Sequence, residues 1–215
     1  GAVLRLLWDR KSFRFMALGA GLTAFAGYSS ANWTASFMIR SHGMSTGELG
    51  TWLAVIMGVF GAIGVFYGGV IADRLAPKDK RWYMWIPAIA CFLSAPFLVG
   101  VYLAGGPYTA LLLSFIPGLC FNVYVGNTIA STHGLVGLRM RATSSAILFF
   151  ILNMVGLGLG PWSVGLLSDY LEPTLGTESL RHAMLYLLPA ATVLSGLLFI
   201  FAAKHLREDL ARAPD

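Results

Sequence analysis

Charge is scarce in this sequence, and the places it avoids say more than the places it occupies. Asp, Glu, Lys and Arg make up 12% of the 215 residues, against roughly 25% in a soluble domain. None of them falls within 15–38, 49–72, 83–104, 108–132, 143–168 or 182–203. Each of these six runs is long enough to cross a hydrocarbon core of about 30 Å, which takes about 20 apolar residues. A soluble globular domain is thereby excluded. With 57% hydrophobic residues and a mean hydropathy of +0.71, the chain reads as an all-α integral membrane protein. Cysteine is nearly absent too. Cys91 and Cys120 lie inside apolar runs, where small thiols are ordinary packing residues, so no disulfide, no metal and no cofactor is expected. There is no initiator Met and no signal-peptide pattern, and the chain is expected to be a segment that starts partway through a larger protein.

The charge that is present orients the spans. An even number of crossings puts both termini on one side, together with the loops 73–82 and 133–142. That side holds Arg5, Arg10, Lys11, Arg14, Arg74, Lys78, Lys80, Arg81, Arg139, Arg141, Lys204, Arg207 and Arg212, which is 13 of the 15 basic residues, and leaves Arg40 and Arg181 on the other. Lys and Arg collect in cytoplasmic loops, so both termini are expected in the cytoplasm, with the protein in the plasma or inner membrane. The same asymmetry accounts for the pI of 9.4 without a nucleic-acid partner. Residues 1–14 read as a basic, amphipathic juxtamembrane segment along the membrane surface, with Trp8 and Phe13 among the headgroups and the cations facing anionic lipid. Residues 15–203 form the bundle, and 204–215 a cytoplasmic tail.

Polar side chains are unevenly shared among the spans. At about 100° per residue, Phe25, Tyr28, Ser29, Asn32 and Ser36 of the first span fall on one arc, as do Phe121, Tyr124, Asn127, Thr128 and Ser131 of the fourth beside Pro117, with Asn122 pointing elsewhere. Ser145, Phe149 and Asn153 form a stripe on the fifth with Gly156 and Gly160. Such faces either hydrogen-bond to a neighbouring helix or wall a substrate cavity. Taken together, Tyr28, Asn32, Ser36, Phe121, Tyr124, Asn127, Thr128, Ser145, Phe149 and Asn153 are the candidate substrate contacts. Their aromatic and uncharged polar character suits an amphiphile with a long apolar part, and drug-like or organic-acid metabolites are the second class. The third and sixth spans carry few polar groups and read as lipid-facing scaffold, with Trp82 and Trp85 anchoring the third. His133, alone at an interface, reads first as a solvated group and only second as a proton carrier.

The second span opens on Ser45 with Glu48 three residues on, the pattern of a capping box. Its body runs through Ala54, Gly58, Gly61, Ala62, Gly68 and Ala72, small residues that let another helix approach to backbone distance. Gly69 and Asp73, followed by Arg74, place a close-packing site, a carboxylate and a guanidinium at its end. Gly160 and Pro161 of the fifth span suggest a kink or hinge.

An internal echo relates these two helices. Gly69-Val-Ile-Ala-Asp73-Arg-Leu75 matches Gly165-Leu-Leu-Ser-Asp169-Tyr-Leu171, one motif on each side of the membrane. The order of polar, glycine-rich and apolar span thus occurs twice with opposite topology. Inverted three-helix repeats of this kind build secondary transporters, and Gly69, Asp73, Arg74, Gly160, Pro161 and Asp169 are the expected gate residues.

Gly69-x-x-x-Asp73-Arg74 with its basic loop resembles the signature loop of the major facilitator superfamily as it recurs between the second and third helices of the C-terminal half. Here Ala76-Pro77 stands where the family usually has Gly and then basic residues, and the loop is longer before Lys80-Arg81. Arg139-Met-Arg141-Ala-Thr-Ser-Ser-Ala146 is similar to the loop and helix start before the fifth helix of such halves. Gly160-Pro161 through Gly165-Leu-Leu-Ser-Asp169 resembles, more narrowly, the Spinster-like branch. The resemblance implies a six-helix half of a twelve-helix facilitator, partnered by an N-terminal six-helix half. It implies alternating access and export of a lysolipid or sphingoid phosphate, with any proton-coupling carboxylate in the other half. Three other readings compete with it. An intramembrane hydrolase needs a nucleophile and base on facing helices, and Ser131 and His133 are too close in sequence for that. A pore needs a charged or polar constriction. A complete small transporter that dimerises is the third.

Overall fold

The computed structural model describes residues 2–213, and among them no strand occurs. A short helix, Ala2–Asp9, leads into six long rods. The first is Lys11–His42, the second Thr46–Leu75, the third Trp82–Leu103, the fourth Pro107–Gly134, the fifth 141–175 and the sixth Ser179–Ala211. By length and apolarity four continuous helical stretches can cross a membrane: Thr46–Leu75, Trp82–Leu103, Pro107–Gly134 and Leu138–Ala211. The last, at 74 residues, doubles back at Gly176 and supplies two rods. Gly176 has φ 54° and ψ −128°, a backbone conformation that glycine reaches without a Cβ clash. The first rod has 32 residues, enough to cross, and falls short in apolarity because of its polar arc. It ends on Gly43 in the left-handed region, φ 64°, whose N–H returns to the Ile39 carbonyl at 3.1 Å.

Both ends of the described stretch lie on one face of the bundle, where Arg10 bonds the Arg212 carbonyl; this is here called the basic face, and the opposite end is the far face. At the basic face the buried Asp209, at the end of the sixth rod, accepts from the Ser12 N–H at 2.8 Å and the Ser12 hydroxyl at 2.7 Å. A carboxylate there satisfies an orphan donor at the start of the first rod and complements its dipole. The leading helix docks through Leu7, which is fully buried, onto a core of Phe13, Met16, Met84, Leu135, Leu148, Phe199 and Leu206. Phe13 therefore sits in the protein core and not among lipid headgroups as expected, because the first rod already begins at Lys11 and turns that ring inward; Trp8 stays exposed. A second core near the far face gathers Phe37, Leu98, Tyr102, Leu111, Val164, Leu180 and Leu188.

The sixth rod packs along the first and third, the fifth lies against the first, and the second against the fourth. Two of these contacts are paved with glycine. A Cβ on Gly64 would overlap the Leu119 carbonyl, one on Gly68 would come within 2.8 Å of the Val123 carbonyl, and one on Gly118 within 2.7 Å of Ile56. On the other seam a Cβ on Gly156 would lie 2.6 Å from Ala24 Cβ, and one on Gly160 2.9 Å from the Phe25 carbonyl. The glycine-rich rod of each three-helix repeat thus packs on the polar rod of the other repeat. Each also widens into a seven-residue π-helical stretch, Ala54–Phe60 in the second and Asn153–Leu159 in the fifth.

Three expectations about the rods change. Ser45 is the residue before the second rod, with extended φ −74° and ψ 146°, yet its side chain makes no cap bond. Glu48 instead accepts from the Tyr108 hydroxyl at 2.8 Å, so no capping box forms. The close-packing residue near the end of that rod is Gly68 and not Gly69, whose Cβ would meet nothing within 4 Å in this chain. The third rod is only partly scaffold: Ile89, Leu93 and Leu103 are exposed on one side, whereas Leu98, Val101 and Tyr102 face inward and line the cavity described next.

Candidate functional site

Between the first four rods and the middle of the fifth lies a cavity of about 430 Å³, within the range of small-molecule sites. Its walls are amphipathic and carry no charged side chain. Tyr28, Phe121, Tyr124 and Phe149 supply aromatic surface, Thr23, Ser30, Thr34, Ser114, Asn122 and Asn153 supply hydroxyls and amides, and Leu53, Ile56, Met57, Leu98, Val101 and Leu152 complete it. Both π-helical stretches or their flanks reach this space, through Ile56 and Met57 on one side and Asn153 on the other. π-Helical turns recur at functional sites because they re-aim side chains within an otherwise regular helix.

Of the ten candidate contacts the cavity brings together Tyr28, Phe121, Tyr124, Phe149 and Asn153. The others lie off it. Asn32 is exposed and donates to the Tyr28 carbonyl at 2.8 Å, and Ser36 is half-buried one turn beyond. Asn127 is fully buried, its amide on the Val123 carbonyl at 2.9 Å, and Thr128 bonds the Tyr124 carbonyl at 2.9 Å. Ser145 pairs with His133 Nε2 at 2.7 Å toward the basic face.

Six polar wall residues escaped the reading of the sequence: Thr23, Ser30, Thr34, Tyr102, Ser114 and Asn122. For Asn122 the cause is local. The fourth rod is interrupted at 121–123, just after Pro117, where Asn122 N bonds three residues back to Leu119 and Val123 N to Cys120. A tighter turn advances the following side chains around the axis, so a uniform 100° step carried across Pro117 swaps the faces of Asn122 and Asn127. The proline was the available signal. Tyr102 had none of its own, since a tyrosine near a span end also reads as an interfacial anchor.

The gate candidates lie apart from the cavity. Asp73 is exposed and accepts from the Tyr83 hydroxyl at 2.9 Å; Arg74 beside it is exposed as well. The ionic centre of that loop is Asp79, held by Arg81 at 2.9 Å and by Arg207 of the sixth rod at 2.7 Å, so the loop after the second rod is tied to the last helix. The hydrogen-bonded Arg81 guanidinium, helped by Arg207, lowers the Asp79 carboxyl to about 2. Gly160 packs on the first rod, and the Pro161 carbonyl accepts from Trp33 Nε1 at 2.9 Å, so this stretch is pinned to the first rod in the present state. Asp169 is exposed.

At the far face Arg181 pairs with Glu178 at 2.9 Å, reaches His42 Nε2 at 3.4 Å and lies 5.7 Å from the Phe37 ring. Burial and then the Arg181 charge lower the pKa of His42.

No protein-family model matches the chain, but proteins of known name do. An MFS-type efflux pump of Mycolicibacterium smegmatis is 31% identical over 204 residues, which cover 95% of this chain and 47% of the pump. Protein spinster homolog 3 of Danio rerio is 24% identical over 234 residues, and the sphingosine-1-phosphate transporter SPNS2 of the same organism 22% over 236 residues, each across 45% of its own length. Among solved structures, a bacterial homolog of the human lysosomal transporter Spinster, inward-facing and unoccupied, superposes with a TM-score of 0.72 at 22% identity, over 98% of this chain and 50% of that one. Its inward-facing, occupied counterpart gives 0.68 over 95% and 50%.

A bundle of inverted three-helix repeats around an uncharged central cavity is the architecture of half a membrane transporter. The chain is similar in sequence to an MFS-type protein, a member of the major facilitator superfamily, and to Spinster proteins, and it shares the fold of a bacterial Spinster homolog. It spans about half the length of the curated relatives it matches.

Proposed function

We propose that this chain is the C-terminal six-helix half of a twelve-helix secondary transporter, and that it moves an amphiphile of the lysolipid or sphingoid-phosphate kind by rocking against an N-terminal half. The observation that carries the reading is the cavity, about 430 Å³ of aromatic and neutral polar wall with no charged side chain. A sugar needs many directed hydrogen bonds and a small ion needs a charged or carbonyl-lined cage, whereas an apolar chain needs only shape and dryness. The half-length match to the relatives and the SPNS2 name support the same reading.

Tyr28, Phe121, Tyr124, Phe149 and Asn153 meet the substrate in the present arrangement. Asn32, Ser36, Asn127, Thr128 and Ser145 would join as the half moves. Asp73, Arg74 and Gly69 would face the partner half at the basic side, which is the cytoplasmic side by the weight of Lys and Arg, with Gly160, Pro161 and Asp169 in the equivalent place near the opposite side. Any charge that neutralises a substrate phosphate, and any proton carrier, would come from the partner half. Drug-like or organic-acid metabolites are the second reading, favoured by the efflux pump among the relatives.

The test is uptake into proteoliposomes by the full-length transporter carrying Tyr28→Ala, Asn32→Ala or Asn153→Ala. Loss of one substrate contact worth about 1.4 kcal/mol lowers affinity tenfold, so transport at limiting substrate should fall by about that factor while the amount of folded protein in the membrane stays constant. Unchanged uptake in all three removes this cavity as the substrate site.

A further inference from the structure

The cavity has two unlike parts. Its central part is nearly symmetric. Leu53, Ile56 and Met57 on the second rod and Phe149, Leu152 and Asn153 on the fifth occupy positions that differ by a constant 96 residues, the same spacing that separates Gly69 from Gly165. Toward the far face the cavity continues into an extension whose wall from the third rod has no counterpart on the sixth. Hydroxyl-bearing residues from three rods line the cavity here: Ser30 and Thr34 of the first, Tyr102 of the third and Ser114 of the fourth.

These hydroxyls are placed to receive a ligand group. The Tyr102 ring is 2% exposed and held edge-on by Phe37 at 5.5 Å, with its hydroxyl beside Ser30. Ser114 donates to the Ala110 carbonyl at 2.8 Å, which leaves its oxygen free to accept. Among the described residues Thr34 makes no hydrogen bond to the carbonyl one turn back, unlike Thr128, Thr132 and Thr192. Neither arginine at that end lines the cavity: Arg181 is committed to Glu178 and lies against the Phe37 ring, which itself packs on Tyr102, and Arg40 is exposed. An anionic head in the extension would lose water without gaining a counter-charge, which is costly; an uncharged hydroxyl or amide would exchange water bonds for protein bonds.

We propose that the far-face extension is a receptor for an uncharged polar group of the transported amphiphile, a hydroxyl or amide, and that Ser30, Thr34, Tyr102 and Ser114 set this preference. The inference rests on the reading of the cavity as the amphiphile site. A charged phosphate, where the substrate has one, lies outside this extension.

The experiment compares two probes of equal chain length, a monoacylglycerol and an n-alkyl phosphate that has no hydroxyl or amide group, binding to the full-length transporter in lipid nanodiscs. Tyr102→Phe combined with Ser114→Ala removes two hydroxyls and keeps the ring against Phe37, so the fold is preserved and is checked by an unchanged elution profile and melting curve. The expected result is about a tenfold loss of monoacylglycerol affinity with the alkyl phosphate within twofold of the parent. Equal losses for both probes, no loss for either, or a parent protein that binds the alkyl phosphate and not monoacylglycerol overturns the assignment. If the parent binds neither probe, the amphiphile reading itself fails. Should Tyr102→Phe with Ser114→Ala prove unstable, Thr34→Val is the second variant, with the same two-probe criterion.

Discussion

The seam between the first and fifth rods offers a test in which helix propensity cancels. Gly156 and Gly158 lie two residues apart in the same π-helical stretch and face different surroundings. A methyl on Gly156 would sit 2.6 Å from Ala24 Cβ, 3.0 Å from the Ala24 carbonyl carbon and 3.1 Å from the Tyr28 ring; one on Gly158 would meet only the Asn153 carbonyl at 3.6 Å. Carbon atoms rest about 3.5–4.0 Å apart, so Gly156→Ala must push the two rods apart by about 1 Å. Overpacking of this kind costs about 1–3 kcal/mol, against which alanine recovers about 0.5–1 kcal/mol over glycine inside a helix. Gly156→Ala should therefore destabilise by up to about 2.5 kcal/mol, and Gly158→Ala should stabilise by about 0.5–1 kcal/mol. The gap between the two variants isolates the seam. Unfolding of the full-length protein in detergent micelles, followed by tryptophan fluorescence, measures it. Because Ala24 and Tyr28 also line the cavity, Gly156→Ala should weaken amphiphile binding as well. Equal shifts in the two variants, or a more stable Gly156→Ala, would refute the backbone-distance packing on which the fold is argued.

Three further outcomes follow from the two faces of the bundle. The pKa of Asp79 is lowered from 3.8 to about 2, so its contribution to stability is complete above the unfolded value and is lost as pH falls from about 3.8 toward 2; the melting midpoint should decline through that window in the parent and not in Asp79→Asn, and parallel curves would contradict the assigned pairing. His42 is likewise lowered from 6.5, and because its neutral form is the one the fold favours, stability is held above about 6.5 and declines as pH falls below it. His42→Gln should flatten that slope. Asp73→Asn, which leaves Tyr83 without its carboxylate, should slow turnover and change the labelling of cysteines placed on the basic face while leaving the pH dependence of transport intact; loss of the pH dependence with unchanged labelling would make Asp73 the proton carrier.

How far the fold and site could be read from the sequence follows from the range of the interactions involved. The six apolar runs and their charged ends are local properties, and each run lies within, or within one residue of, a rod. The repeat was legible because two motifs of the same residue types, Gly69 to Leu75 and Gly165 to Leu171, end rods of the same character. The lining of the cavity was half legible. Tyr28, Phe149 and Asn153 precede any irregularity in their helices or sit at its first residue, so a constant 100° step places them correctly. Asn122 and Asn127 follow Pro117, where the step changes. The basic-face clamp was illegible for a different reason. Asp79 and Arg207 are 128 residues apart, and no local pattern marks which of the loop carboxylates, Asp73 or Asp79, finds an arginine from another helix. Gly68 and Gly69 pose the same problem at one-residue resolution, since adjacent glycines look alike until the partner helix is present.

The symmetry of the cavity ties these observations together. On the first rod Thr23, Ala24, Gly27, Tyr28, Ser30 and Ala31 line it; on the fourth, Pro117, Gly118, Phe121, Asn122, Tyr124 and Val125 do so, each 94 positions further on. With the 96-residue relation between the second and fifth rods, most of the wall is one surface used twice in opposite directions. Glycine seams explain why that surface can exist. Gly64 and Gly68 bring the second rod onto the fourth at backbone distance, Gly156 and Gly160 bring the fifth onto the first, and between these two tight contacts the rods cannot also close on one another. The symmetry breaks where the ends are filled. At the basic face Leu148, Phe199 and Leu206 are fully buried and Leu152 nearly so, and exposing such side chains to water costs about 1.5–3 kcal/mol each. At the far face the matching volume holds Tyr102, Thr34 and Ser114 around open space. On the proposed reading, a wall built by repetition would supply the non-directional part of recognition, and the end left unfilled the directional part.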